Sequence, residues 1–579
     1  MSSLTIEAVG AAADAVERHL GALVEERFAS RLFDQDPTLW GPEAEEEAAK
    51  RLAWTGLPRT SRPLIGEVEA LAEQLRERGV SRIVLCGMGG SSLAPEVICA
   101  TAGVPLVVLD SSDPDMVRGV LAEELDKTAV VVSSKSGSTL ETDSQRRAFV
   151  HAFEQAGIDP TERIVIVTDP GSPLDEQSRA DGYRVVNADP DVGGRYSALT
   201  AFGLVPSGLA GVDVAALLDE AEEVADLLAD DDLGNPGLRL GAALAGTEPL
   251  RDKLLFTDAG SGIVGLADWA EQLIAESTGK QGRGVLPVVT PVDRLPAEGL
   301  TDPDDCTTVV LAAEDQYDTA PGQFSTADTS EDEISDSGND AADSAENLGT
   351  DEVDLSNGIP EPTATGSLVS VAGPLGAQLL LWEVATAVAG RILEINPFDQ
   401  PDVESAKQAA RDIMSGEGGG SDEAAATDGA VEIRSTLDPS PQDLSGALTA
   451  LLDQLDAENG YLAVMVYLDR FAHADLIEIQ DQLIDRTGRP VTFGWGPRFL
   501  HSTGQYHKGG PAQGVFLQVT GEPREDLDVP GKDFTFGEFI AAQAAGDAAV
   551  LADHDRPVLR LHLTDQDAGL AQLREAVGG

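Results

Sequence analysis

The chain is poor in cysteine, lysine and aromatic side chains, and it has no long apolar run. Its 579 residues include only Cys86, Cys99 and Cys306, too few for a disulfide framework. Cys86 and Cys99 flank a Gly-rich turn and read as small buried residues, not as zinc ligands. No apolar stretch approaches the ~20 residues of a membrane-spanning helix. The start, Met1 to Gly10, lacks the charged and apolar regions of a signal peptide and leads into an acidic amphipathic segment. A soluble, reducing, cytoplasmic setting is the expectation. Basic residues are also scarce: 39 Lys and Arg face 101 Asp and Glu, a net charge of −62. Such a surface repels both a nucleic-acid backbone and an anionic membrane, so neither is an expected partner. Hydrophobic residues still make up 42% of the sequence, and a chain this long builds several domains with sizeable cores.

Only eight of the basic residues are lysine. An acid-rich, lysine-poor composition suits a protein that must stay hydrated where salt screens charge over a few ångströms, so the sequence points to a halophilic or salt-tolerant host. Fifteen of the acids lie between Glu314 and Glu361, a stretch without Lys or Arg, yet the rest of the chain still carries 86 acids against 39 bases. Where lysine is this rare, the ones inside motifs attract notice.

Residues 1–60 read as an N-terminal helical segment, with helical spacing of apolar residues from Leu4 to Glu26 and a break at Trp40-Gly41-Pro42. Short apolar strands then alternate with helical stretches: Arg82 to Cys86, Val104 to Leu109, Ala129 to Val132 and Arg163 to Thr168. That texture predicts an α/β fold with a doubly covered, doubly wound parallel sheet. Residues 211–247 are helical in pattern, and a second series begins at Leu254 to Thr257 and includes Thr307 to Leu311. Residues 314–365 have too little apolar surface to offset the entropy of ordering and read as an acidic flexible insert. An apolar helix follows over Gly376 to Leu393, then a flexible Gly/Ala stretch over Ser415 to Gly429. Tyr461 to Tyr467, Pro490 to Trp495, Gly514 to Val519 and Pro557 to Leu563 read as further strands.

Two loops at predicted strand ends have the chemistry to hold an anion. Gly87-Met88-Gly89-Gly90-Ser91-Ser92 has glycines that let a ligand approach the backbone, but neither the G-x-G-x-x-G spacing nor a GK[ST] ending. Ser134-Lys135-Ser136-Gly137-Ser138-Thr139 offers four hydroxyls and an ammonium just before the helix start Leu140-Glu141-Thr142. Each alone is an ordinary strand–helix turn. Together, at carboxyl ends of strands in one parallel sheet, they predict a phosphosugar site.

The two loops in this order resemble the sugar-isomerase (SIS) domain. Val192-Gly193-Gly194-Arg195-Tyr196-Ser197 is similar to the GGR[FY]S signature of the glucose-6-phosphate isomerase family, and Ala275-Glu276-Ser277-Thr278-Gly279-Lys280 to its E-S-x-G-K segment. Asn396-Pro397-Phe398-Asp399-Gln400 through Glu404 to Lys407 is similar to its N-x-F-D-Q-x-x-V-E-x-x-K ending. The resemblance is closest to an actinobacterial type sometimes fused to a transaldolase, of which no portion is apparent. It implies two SIS-type domains, at 61–247 and at 248–313 with 366–579, the latter with a rearranged C-terminal part. It implies interconversion of glucose 6-phosphate and fructose 6-phosphate, no metal or cofactor, and a homodimer. Gly90 and Ser91 would line the sugar, and Ser134, Lys135, Ser136 and Thr139 would hold the phosphate. Arg195 would face the reacting carbons, Glu276 would be the base, and Gln400 and Lys407 would lie over the ring.

One feature departs from the family pattern. The ring-opening histidine belongs between the Glu276 and Lys407 motifs, where this chain has no histidine. Leu500-His501-Ser502-Thr503-Gly504-Gln505 is similar to the family's LHSLGQ segment, so the resemblance assigns the role to His501, with His507 as the rival. The residue types suit the chemistry. A carboxylate can carry a proton between neighbouring carbons, a permanently charged guanidinium can stabilise an enediolate, and a histidine can assist ring opening. A dual phosphoglucose/phosphomannose isomerase and a non-catalytic phosphosugar-binding regulator are the alternatives. A regulator has no need of Glu276, Arg195 and Lys407 together.

Overall fold

The computed structural model describes residues 4–290, 303–313, 366–415, 424–437 and 441–578. The acidic insert expected over 314–365 lies outside the described residues, as does most of the flexible stretch expected after Ser415. The expected α/β class is observed, built on three sheets.

The first sheet is all parallel, in the order Val107–Leu109, Arg82–Gly87, Thr128–Ser133, Ile164–Thr168, Arg184–Asn187. Its strands are apolar through their middles, with polar residues only at their ends, because both faces are covered. Alternation divides them: Ile83, Leu85, Val131 and Val165 face the helices Pro63–Glu77 and Ala201–Ala210. Val84, Cys86, Val130 and Ile166 face Pro114–Ala122 and Leu140–Gln155, where Val529 and Phe536 from the C-terminal part join the same core.

The second sheet runs Thr5–Gly10, Ser367–Ala372, Cys306–Ala312, Lys253–Ala259, Leu286–Val289. Here the structure corrects the N-terminal reading. Thr5–Gly10 is an antiparallel edge strand on Ser367–Ala372, and the helix begins only at Ala11. Helical spacing over so short a span cannot report a strand partner more than 300 residues away. Gly10 makes the turn with a φ of 63°, and a side chain there would run into the Gly366 carbonyl. Leu375–Ile392 is mostly apolar and buried around its whole circumference, with Gly237 and Gly241 of the neighbouring helix admitting Val384 and Val388.

The strands expected to complete the second domain instead form a sheet of their own. Val491–Trp495, Tyr461–Tyr467, Gly514–Gly521 and Val558–Leu563 are parallel, extended by antiparallel Val431–Ser435 and Ala426–Asp428. Short apolar strands look alike whichever sheet they join. Leu255, Leu286 and Val288 of the second sheet share a core with this third unit. The third unit therefore rests on both others. Its helix Phe536–Asp553 packs along Pro401–Met414 so closely that a Cβ at Gly546 would lie 2.8 Å from the Ala410 nitrogen.

Candidate active site

Helix Leu266–Thr278 packs against the turns Gly89–Ser91 and Gly194–Tyr196 and carries Glu276 in its last turn. Glu276 is 5% exposed and Arg195 4%. The Arg195 Nη1 lies 3.4 Å from Glu276 Oε1. The guanidinium spends its other donors on fixed acceptors: Nε on Ser277 Oγ (2.8 Å), Nη1 on Gln400 Oε1 (2.8 Å), and Nη2 on the carbonyls of Pro397 and Asp399 (both 2.9 Å). Its plane is thus set on four sides by the helix end and the 396–400 loop. The Gly87–Ser92 loop lies against the same group. A Cβ at Gly90 would stand 1.9 Å from the Gly194 carbonyl, so only glycine allows that approach.

A cleft of about 210 Å³ has Thr139, Glu141, Lys407, Leu500, His501 and Gln543 among its walls; Arg195 and Glu276 do not line it. Lys407 comes from helix Pro401–Met414, and His501 from a short turn, Arg498–His501, of the third unit. His501 Nε2 lies 3.6 Å from Glu141 Oε1, which also accepts a 2.7 Å bond from Gln543 Nε2. Burial pushes the Glu141 carboxyl up, but its bond and attraction to His501, and the nearby Lys407 charge, outweigh burial and hold it below the usual carboxylate value. An ionised acceptor facing the imidazole fixes the orientation of the ring. Gln272 links the two halves, its Nε2 donating to Glu276 Oε2 (3.3 Å) and to the His501 carbonyl (2.7 Å).

The rival His507 faces inward. It is buried between Tyr461 and Phe516, with Nδ1 3.0 Å from the Tyr461 hydroxyl. Burial, then the charges of Lys508 and Arg556, hold its ring well below the ordinary histidine value, so it stays neutral.

The hydroxyl loop is preorganised. Ser134 Oγ accepts from the Gly137 nitrogen (3.1 Å) and donates to Thr139 Oγ1 (3.3 Å), while Ser136 and Ser138 share a 2.6 Å bond. Ser138 and Thr139 border the cleft at the start of helix Leu140–Gln155. Lys135 does not join them. Its ammonium lies 2.8 Å from Asp169 and donates to the Pro190 carbonyl (3.1 Å). The structure thus gathers Arg195, Glu276, Gln400 and Gly90 into one cluster. It places Thr139, Lys407 and His501 around a separate cleft, joined to that cluster through Gln272, and it draws the Lys135 charge aside.

Four contributors escaped the sequence reading. Glu141 was visible only as part of a helix start, and Ser277 and Lys280 only as parts of a motif. Gln272 had one signal: it stands four residues before Glu276, on the same helix face.

Parallel sheets with a hydroxyl-rich loop at a carboxyl end, together with a buried carboxylate–guanidinium pair, define an α/β protein of the phosphosugar-isomerase class. No family model matches the chain. A glucose-6-phosphate isomerase of Rubrobacter xylanophilus is 31% identical over 425 residues, which is 65% of this chain and 95% of the relative. A probable glucose-6-phosphate isomerase of Haloarcula marismortui is 31% identical over 370 residues, 61% of this chain and 82% of the relative. Among solved structures, a hypothetical protein from Thermus thermophilus shares the fold with a TM-score of 0.53 at 24% identity, over 72% of this chain and 100% of that one. The chain belongs to the glucose-6-phosphate isomerase family.

Proposed function

We propose that this protein interconverts glucose 6-phosphate and fructose 6-phosphate. The observation that carries the reading is the 3.4 Å approach of Arg195 to Glu276, both shielded from water. Glu276 removes the C2 proton of the open-chain aldose and returns it to C1, and the oxygen that gains charge in the enediolate faces Arg195. Arg195 serves because it keeps its proton when desolvated. His501, oriented by Glu141, and Lys407 act on the ring oxygen and C1 hydroxyl to open the pyranose. Ser134, Ser136 and Thr139 hold the phosphate through hydroxyls and the following helix N-terminus. Lys135 contributes to that loop's shape through Asp169. Gly90, Ser91 and Gln400 line the sugar. Phosphate binding far from the reacting carbons positions them and helps lower the barrier.

The proposal extends to a homodimer of the actinobacterial type, in the cytoplasm of a salt-tolerant host. It also takes residues 61–247 and 248–313 as the framework of the site, with the segment from 366 on supplying its lid of Gln400, Lys407 and His501. A coupled assay of the purified chain on fructose 6-phosphate tests the activity. The expected result is metal-independent formation of glucose 6-phosphate. No turnover at any salt concentration would reject it.

A further inference from the structure

Lys280 is the motif lysine to which the reaction assigns no part. It is 1% exposed, in a chain with only eight lysines. It follows Glu276 by four residues, just past the helix end, and its side chain turns toward the 396–400 loop. The ammonium has three donors and finds three acceptors there: the Asn396 carbonyl at 2.8 Å, the Asp399 carbonyl at 2.6 Å and Asp399 Oδ1 at 2.7 Å. The Asp399 carbonyl oxygen also accepts from Arg195 Nη2 at 2.9 Å. One backbone oxygen is therefore shared by two cations, and the next residue, Gln400, holds the other arm of the same guanidinium.

We propose that Lys280 is a positioning residue. It ties the 396–400 loop to the helix that carries Glu276, and through the shared Asp399 carbonyl it sets where the Arg195 guanidinium stands relative to the Glu276 carboxylate. The inference rests on the functional reading above and adds to it. A buried lysine costs free energy unless all its donors are used, and this one spends every donor on the loop that also clamps Arg195. Its attachment points are close together: Glu276 faces Arg195, Ser277 accepts from Arg195, and Lys280 holds the loop on which Arg195 leans, all within five consecutive residues. Loss of the tie frees the loop and lets the guanidinium drift from the reacting carbons. A misplacement of about 1 Å costs on the order of 100-fold in rate.

The tie is also sensitive to base. Asp399 and Glu276 favour the charged amine, and Arg195 opposes it. Burial, then Arg195, push it down to about 8. A neutral amine has two N–H donors for three acceptors, so one bond of the tie is lost as pH rises through that value.

The test uses the full chain on fructose 6-phosphate, with kcat, KM and thermal midpoint measured for the unaltered protein, Lys280→Met, Lys280→Arg and Lys253→Met. Lys253 is as deeply buried but bonds Asp252, Asn459 and Gln513 in the seam between the second and third sheets. Lys280→Met is expected to lose about 100-fold in kcat per folded molecule with KM within about threefold, and Lys253→Met to lose thermal stability without that loss. Lys280→Arg, which keeps its charge, is expected to recover part of kcat and to lack the fall in kcat near pH 8 that is expected of the unaltered chain. A kcat for Lys280→Met within about threefold of the unaltered chain overturns the inference, as does a loss tracking only the folded fraction as in Lys253→Met. Should Lys280→Met not fold, a kcat of the unaltered chain that stays flat to about pH 9.5 overturns it as well. An unaltered chain without turnover fails the functional reading itself, a separate outcome.

Discussion

At the residue scale, the site turns on groups whose chemistry is set by what they touch. Glu276 has a guanidinium on one oxygen and an amide on the other, so it is held in place without a bulk-water shell. Glu276→Gln keeps the shape and the Gln272 contact but removes the proton acceptor. It is expected to lower kcat by about 10³-fold while leaving binding of a phosphosugar nearly unchanged by calorimetry. Turnover close to that of the unaltered chain would reject the assignment. The same scale explains a departure from expectation at Lys135. The sequence offers an ammonium in a hydroxyl loop, but Asp169 stands 2.8 Å away and takes it, and no local pattern announces that partner.

At the element scale, the Arg498–His501 turn must be fixed although it comes from a unit apart from the base. Arg498 donates to Asp110 Oδ2 at 2.6 Å and pairs with Glu96, while Arg470 reaches Glu96 Oε1 at 3.0 Å and Asp110 Oδ1 at 3.3 Å. These two arginines of the third unit grip carboxylates of the first, and Arg498 stands three residues from His501. Arg498→Met leaves the fully buried Asp110 with only the weaker Arg470 contact. A loss of about 3 kcal/mol in unfolding free energy is expected by denaturant titration, together with reduced kcat as His501 loses its register. The network also has a pH signature. Burial pushes Glu96 up, but Arg498 and Arg470 outweigh it and bring it down to about 2 from an ordinary value of 4.5. The unfolded chain then binds more protons between those values. The stabilisation is complete above about pH 4.5 and is lost as pH falls toward 2. In Arg498→Met the acid unfolding midpoint is expected to move to higher pH.

At the scale of the whole molecule, the net charge of −62 works against compactness in dilute buffer. Raising salt from about 0.1 M to 1 M shortens the screening length from about 10 Å to about 3 Å. The thermal midpoint of the intact chain is expected to rise by several degrees over that range, read by calorimetry. A midpoint that is flat or falls would argue against a salt-adapted surface. The C-terminal unit shares a core with the second sheet and adds Val529 and Phe536 to that of the first, and the proposed site draws on all three. The base comes from the helix after the second sheet's strand Lys253–Ala259, the glycine and hydroxyl loops from the first sheet, and the histidine from the third.

Amino-acid order alone determined the α/β class, because strands covered on both faces must be apolar throughout and helices between them must alternate. It also marked the glycine and hydroxyl loops, since few residue types tolerate such turns, and singled out Glu276, Arg195, Gln400, Lys407 and His501 through short motifs. Tertiary structure decided the partners. It put Thr5–Gly10 at a sheet edge, gathered the C-terminal strands into a third sheet, turned His507 into the core, set Glu141 opposite His501 and aimed Lys280 at the 396–400 loop. The physical reason is common to all of these. Periodicity records whether a side chain is buried, whereas the identity of what buries it depends on contacts between segments hundreds of residues apart, which only the folded chain brings within bonding distance.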